Sequence, residues 1–263
     1  MTTTPTGKLT FLGSGTSQGV PVIACSCPTC QSTDPKDQRL RASVLLEFPE
    51  LTIAIDAGPD FRQQMLRAKV KHLDAILLTH EHKDHIAGLD DIRAFNYHLQ
   101  ADFPIYCTPK VEIALKREFH YAFEAEPYPG VPRFEIRHLE VERFQVGSYT
   151  IDAIEVWHHQ MQVLGFRFGK LAYITDAKTI TALEKSKLQD LDILIINALH
   201  KYPHPSHFNL AEALAFIAEI KPKQSYLTHI SHLFGLHAQI NETLPTNVQL
   251  AYDGLVLNFN YSA

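Results

Sequence analysis

The sequence predicts an α/β fold: two mixed β-sheets packed face to face with helices on the outer surfaces, built as a single domain over residues 1–263. Three observations carry this expectation. Hydrophobic residues make up 45% and charged residues 20% of the chain, the balance of a globular protein able to bury a full core, which excludes disorder, collagen and coiled coil as descriptions of the whole. Turn signals are spread evenly, with no linker, low-complexity tract or internal repeat. Each half of the chain also runs from short apolar strands into alternating strands and helices.

The elements follow in order. Strands are expected at 9–12, 44–48, 51–56 and 75–79, where Val, Leu and Ile bounded by Gly, Pro and Asp fit strands buried on at least one face. Amphipathic helical stretches intervene at 61–69, 86–96 and 111–123. The second half opens with strand-like 134–139, 144–156 and 163–175. A helix at 180–188, a strand at 193–198 and a helix at 210–220 come next, and strands at 224–228 and 255–259 close the chain.

Charge and cysteine usage narrow the function classes. The 24 basic and 29 acidic residues leave a formal net charge of -5, with no basic surface to suit a nucleic acid. The N-terminus has neither a basic start nor an apolar run, and no window approaches the roughly 18 apolar residues of a membrane helix, so a cytoplasmic location is expected. There, the crowding of Cys25, Cys27 and Cys30 favours a metal over disulfides. The chain also carries 15 histidines.

The strongest motif is Leu77-Leu78-Thr79-His80-Glu81-His82-Lys83-Asp84-His85-Ile86. An apolar strand ends in four ligand-type side chains, and neutral imidazoles with a carboxylate suit zinc, manganese or iron. The bland alternative is a polar loop rich in histidine by chance, and four correctly typed residues argue against it. The segment resembles the His-x-His-x-Asp-His signature of the metallo-β-lactamase superfamily. That resemblance implies an αββα sandwich with a two-metal site between the sheet edges.

It also implies three further ligands downstream: a histidine, a bridging aspartate and a last histidine. Val156-Trp157-His158-His159, Tyr173-Ile174-Thr175-Asp176 and Leu227-Thr228-His229 each end an apolar strand-like run. By the resemblance, His80, His82 and His158 hold one metal, Asp84, His85 and His229 the other, and Asp176 bridges them. The ions would be zinc or manganese, with iron and nickel as alternatives. Because alternate residues of a strand face opposite sides, only one of His158 and His159 can serve; the family's spacing to Gly165-Phe166 favours His158. Taken alone, Asp176 reads equally well as a turn or cap carboxylate.

Gly19-Val20-Pro21-Val22-Ile23-Ala24-Cys25-Ser26-Cys27-Pro28-Thr29-Cys30 supplies three ligands for a tetrahedral zinc and needs a fourth. Cys107 and a histidine are the candidates; the apolar Pro104-Ile105-Tyr106-Cys107 suggests a buried thiol, and His232, three residues after His229, is better placed. With Gly13-Ser14-Gly15-Thr16-Ser17-Gln18-Gly19, the cluster is similar to the phosphoribosyl 1,2-cyclic phosphate phosphodiesterase subfamily of phosphonate degradation. That subfamily carries a structural zinc on three such cysteines and the histidine after Thr-His-x-x. Asp56-x-Gly58-Pro59-Asp60-x-Arg62, Leu89-Asp90-Asp91-x-Arg93 and Tyr252-Asp253-Gly254 agree with it. The 13–19 loop lacks the Lys-Ser/Thr ending of a P-loop, so a loop positioning the cysteines is expected instead.

In His200-Lys201-Tyr202-Pro203-His204-Pro205-Ser206-His207-Phe208-Asn209-Leu210, the plain reading is a polar loop with Asn209 as helix N-cap. The resemblance implies that a histidine just before this helix reaches the phosphate as acid catalyst, which selects His207 over His200 and His204. His72, His98, His120, His138 and His237 show no partner pattern.

The implied function is metal-dependent hydrolysis of a small cyclic phosphate ester, with attack on phosphorus by a hydroxide that the metals and Asp84 set up and proton donation by His207. The alternatives are a transfer-RNA 3′-end nuclease and a non-enzymatic metal-binding or sensor protein on the same fold. With thiolates and three divalent ions counted in, net charge stays at about −2, still not basic. No long Gly- and Lys-rich tRNA-gripping insertion is visible, and an intact ligand set weighs against a sensor. A small phosphate ester, no nucleic acid, no membrane and a homodimer are the expected partners.

Overall fold

The computed structural model describes residues 6–139 and 142–261. The first sheet comprises β1 (Thr6–Gly13), β2 (Ser43–Phe48), β3 (Leu51–Ile55), β4 (Ala75–Leu77), β5 (Phe103–Cys107) and β6 (Phe134–His138). The second comprises β7 (Arg143–Val146), β8 (Tyr149–His158), β9 (Met161–Phe168), β10 (Leu171–Ile174), β11 (Ile193–Asn197), β12 (Gln224–Thr228) and β13 (Val248–Leu250). The chain then returns to the first sheet with β14 (Val256–Asn260). Each sheet has seven strands, in the orders β14-β1-β2-β3-β4-β5-β6 and β13-β12-β11-β10-β9-β8-β7. Both are mixed: β3 to β6 and β10 to β13 run parallel, while hairpins and the β14–β1 pair are antiparallel.

The period-two alternation of the strands decides the layers. Val44, Leu46, Ile53 and Ile55 meet Leu171, Tyr173 and Ile195 between the sheets. The intervening residues face outward: Leu45 and Ala54 toward helices of the first half, Ala172, Leu194 and Ile196 toward those of the second. The covering helices are α1 (Phe61–Arg67), α2 (Lys83–Ile86), α3 (Arg93–Leu99) and α4 (Pro109–Glu118) on one side, with α5 (Ala182–Ser186), α6 (Leu210–Ile220) and α7 (His237–Asn241) on the other. The expected αββα sandwich is the observed one.

Several expected elements are corrected. The helix at 86–96 is three pieces: α2, a 3₁₀ turn at Leu89–Ile92 and α3. Gly88 forces the break, because a Cβ there would lie 2.0 Å from the Gly58 carbonyl oxygen. The 111–123 helix starts earlier, at Pro109 behind the Thr108 cap, and ends in a separate 3₁₀ turn. The 144–156 and 163–175 strands fold as the hairpins β7–β8 and β9–β10, which turn at the positive-φ glycines Gly147 and Gly169. β5 and β13 are additional strands; Pro104 inside β5 and the three-residue length of β13 mask them in the sequence. Among the described residues no helix is long and apolar enough to cross a membrane.

Candidate metal centre

Four loops meet where the strands of the two sheets end. The loop after β4 brings His80, His82, Asp84 and His85; the end of β8 brings His158; the residues after β10 and β12 bring Asp176 and His229. Asp56, Asp176 and His229 all adopt left-handed backbone, with φ of 65°, 55° and 56°. Non-glycine residues persist there only when their surroundings over-determine them, and such strain clusters at functional sites.

Those surroundings can be named. The Asp56 carboxylate accepts from the Thr79 amide at 2.9 Å and from His85 Nδ1 at 2.7 Å. Thr79 Oγ1 donates to Asp56 at 2.9 Å and in turn sits 2.9 Å from His80 Nδ1. His158 Nδ1 donates to the Asp176 carbonyl at 3.1 Å. Each Nδ1–H of His80, His85 and His158 is thereby fixed, which leaves each Nε2 free to face the centre. Ala177, next to Asp176, is clamped on both its N–H (2.8 Å) and its C=O (3.0 Å) by the buried Asn197 side chain.

The seven expected side chains converge. His85 Nε2 lies 3.1 Å from Asp84 and 3.2 Å from Asp176, and His229 Nε2 lies 3.2 Å from Asp176. The ring of His80 is 4.7 Å from that of His82 and 6.1 Å from that of His158. His82 is exposed and stands at the mouth, 5.2 Å from His158, outside the tightest groupings. His159 is exposed and turned away.

The electrostatics suit cations. Burial opposes the ionisation of Asp84 and Asp176, yet the adjacent imidazoles of His85 and His229 hold both carboxyls far below their usual range. Burial would strip His85 of its proton, but Asp84, Asp56 and Asp176 raise it well above the ordinary value. One imidazolium thus faces three carboxylates. His80 and His158 are pushed down by burial and stay neutral, the form that ligates. His80 Nε2, His85 Nε2 and both ring nitrogens of His229 are buried without a hydrogen-bond partner. Buried polar atoms are rarely orphaned, and these point at one another. The donor set therefore fits divalent metal.

His207, at the start of the loop into α6, stacks on His229 at 4.8 Å and meets His158 at 4.4 Å. Its Nδ1 lies 3.6 Å from Asp176. His204 is one layer further out, 5.1 Å from His207, and His200 is 5.8 Å from His204. Burial and the neighbouring His229 push His207 down to about 2, so the ring is neutral and its approach to Asp176 is not an ion pair. Asn209 caps α6 in a reciprocal capping box with Glu212.

The cysteine cluster is a second, separate group. His232 Nδ1 lies 3.2, 3.4 and 3.5 Å from the sulfurs of Cys25, Cys27 and Cys30. A tetrahedral zinc with ordinary Zn–S and Zn–N bonds separates such atoms by about 3.5 Å. The amides of Val22 and Cys30 donate to Cys30 and Cys27 sulfurs. Despite burial, the Cys30 amide and His232 lower the Cys27 thiol to about 6. Cys107 is buried in β5, its thiol pushed up to about 12, and belongs to the core.

A family model described as the beta-lactamase superfamily domain matches residues 52–230. The chain belongs to the metallo-β-lactamase superfamily. A curated relative from Porphyromonas gingivalis (strain ATCC BAA-308 / W83), named octanoyltransferase, is 40% identical over 248 residues, 93% of this chain and 50% of that protein. The chain therefore spans half the length of that relative. Coenzyme PQQ synthesis protein B of Methylobacterium nodulans (strain LMG 21967 / CNCM I-2342 / ORS 2060) is 35% identical over 218 residues, 71% of each chain. A crystal structure described as a new diphosphatase from the PhnP family superposes with a TM-score of 0.92 at 39% identity, covering 98% of this chain and 99% of that one. Zinc-bound PqqB from Methylobacterium extorquens shares the fold, with a TM-score of 0.75, 21% identity and coverage of 95% and 99%. This superfamily member is thus a metal-binding hydrolase whose similarity reaches the PhnP-like group.

The reading of the sequence left one important residue without a role. Asp56 sits in the quoted Asp-x-Gly-Pro-Asp pattern, but only the fold shows it orienting His85 and the Thr79–His80 turn.

Proposed function

We propose that the chain hydrolyses a P–O bond in a small phosphoric diester, a cyclic phosphate of the phosphoribosyl type foremost. The observation that carries this is the convergence of seven ligand-type side chains, their free ring nitrogens facing one point, with His207 stacked directly over it. His80, His82 and His158 would hold one ion, Asp84, His85 and His229 a second, and Asp176 would touch both; Cys25, Cys27, Cys30 and His232 would hold a zinc. When bound, the paired ions would supply an activated water and neutralise charge growing on the phosphoryl oxygens.

The chain's own residues do the rest. Asp56 keeps His85 aimed at the centre, and Asn197 holds the Asp176 turn in place. Asp84, held ionised, can accept the proton of the attacking water. His207 would donate to the departing oxygen. In the free site it is neutral, so the arriving phosphate must first raise its proton affinity; a bound anion at 3 to 4 Å in a buried site acts in that direction. The amides opening α6 add a favourable field for the same anion.

A second reading, hydrolysis of a diphosphate linkage, is favoured by the similarity to the PhnP-family diphosphatase. The transfer-RNA nuclease and sensor alternatives gain no support from the site. The test is a turnover screen of cyclic phosphodiesters, bis(p-nitrophenyl) phosphate and linear diphosphate diesters on protein of measured metal content. Cyclic ester turnover supports the first reading, diphosphate turnover alone the second, and no turnover by fully metallated protein overturns both.

A further inference from the structure

A cavity of about 470 Å³ opens beside the metal centre and shares two walls with it, His82 and His158. Its other walls are Lys110 in the first turn of α4, the β8–β9 turn with His159 and Met161, and Ser206 just before His207. Its size is that of an ordinary small-ligand site. No carboxylate lines it, and the walls offer one fixed cation, three imidazoles and the positive end of the ten-residue α4.

We infer that this cavity receives the part of the substrate beyond the reacting phosphoryl group, and that Lys110 selects substrates carrying a second anionic group there. The inference rests on the phosphoryl-hydrolase reading above. Lys110 Nζ lies 2.8 Å from Glu81, with the lysine side chain 58% exposed and the glutamate 19%. So exposed an ion pair is weak, and it holds the ammonium at the cavity mouth rather than sequestering it. The other acid of the same turn, Glu112, is already occupied by Lys116 at 2.8 Å and His138 at 2.6 Å. A phosphoryl group entering the cavity therefore meets a cation free to turn toward it and no competing carboxylate on the wall. Met161 and the flanking rings offer an apolar surface for the organic portion between the two anionic groups.

The test compares Lys110→Met and Lys110→Arg with the unaltered chain, all of measured metal content, on bis(p-nitrophenyl) phosphate and on ADP-ribose. The first probe carries one charge and the second carries two. Loss of one charge-assisted contact should raise KM for ADP-ribose roughly 10- to 100-fold in Lys110→Met, at least tenfold more than for the singly charged probe. Lys110→Arg should recover most of that loss, and kcat should change little. Equal KM changes on the two probes, or loss of metal in both variants, would make Lys110 a brace for Glu81 and overturn the inference. If the unaltered chain turns over neither probe, the hydrolase reading fails. Calorimetric ADP-ribose binding then still decides Lys110, since affinity unchanged by Lys110→Met rejects the subsite.

Discussion

The two clusters of metal-type side chains differ in how the chain holds them. The histidine–aspartate centre is assembled from the ends of β4, β8, β10 and β12, and most of its side chains are buried. Its residues are pinned by partners that belong to the sheets: Asp56 after β3, Asn197 at the end of β11, Thr79 after β4. The cysteine cluster lies on the long loop between β1 and β2, with Cys25 and Cys27 half-exposed, and only His232 arrives from elsewhere. One centre is organised by the fold before any ion binds; the other needs an ion to organise its loop. The two are nevertheless joined. His229 and His232 are three residues apart, and Ile230 between them exchanges hydrogen bonds with Ser14 (2.9 Å) and Thr16 (3.1 Å) at the root of the cysteine loop.

The largest effect should come from Asp176, the side chain placed to touch both ions. Asp176→Asn should lower metal content at the centre and cut hydrolysis by roughly 10³-fold or more, about 4 kcal/mol of barrier, while leaving the fold intact because β10 and β11 do not depend on it. Elemental analysis with circular dichroism checks this. Two catalytic metals and normal turnover in the variant would remove the bridging assignment.

Next comes His207→Ala. Metal content should stay full while turnover falls roughly 10²- to 10⁴-fold, the size of general acid catalysis. Esters with a good leaving group such as p-nitrophenolate should lose less, because they need no proton. Equal losses on both kinds of ester point to phosphate binding instead, and loss of metal makes His207 a ligand.

How much of this contrast was legible in the chain depends on how local each signal is. The α6 helix and β12 match their expected bounds because Asn209, Glu212 and the Leu/Ile/Phe spacing are self-contained signals. The His80 to His85 motif is equally local. The break at Gly88 was not legible, since it follows from contact with Gly58, 30 positions earlier. Asp56 reads as a turn residue until β3 and β4 lie side by side and bring it to His85. Lys110 has no signal at all in the sequence; only the placement of α4 beside His82 gives it a neighbour to serve.

The cysteine cluster should show the opposite pattern to Asp176. Cys27→Ser should lose one zinc and about 3 kcal/mol, lowering Tm by about 6–12 °C, because the loop's order depends on its ion. Activity measured well below Tm should fall only a few-fold, through slackening of the Ile230 tie to His229. Unchanged zinc and stability would show that the cluster is not a metal site, and a loss of activity as large as that of Asp176→Asn would erase the distinction between the two regions.

The smallest effect concerns the buried polar brace behind the cysteine loop, and it is read by pH. Arg39 is buried and donates to Ser14 Oγ (2.8 Å), to the Ala251 carbonyl (2.6 Å) and to His237 Nδ1 (3.1 Å). Because the guanidinium can only donate, His237 Nδ1 must accept, and a proton there would set two donors against each other. Burial first, then Arg39 and Lys36, lower His237 to about 4, against the partial opposition of Asp37 and Asp34. The unfolded chain takes up this proton near pH 6.5 and the folded chain only near 4, so acid favours unfolding throughout that interval. The native state should therefore lose up to about 2 kcal/mol as pH falls from 6.5 to 4, beyond the loss from other groups. His237→Asn keeps an acceptor for Arg39 but cannot be protonated, so its Tm should fall less steeply across that window. Parallel Tm–pH curves for the two proteins would mean that the brace tolerates a protonated His237, and that acid first reaches the molecule elsewhere.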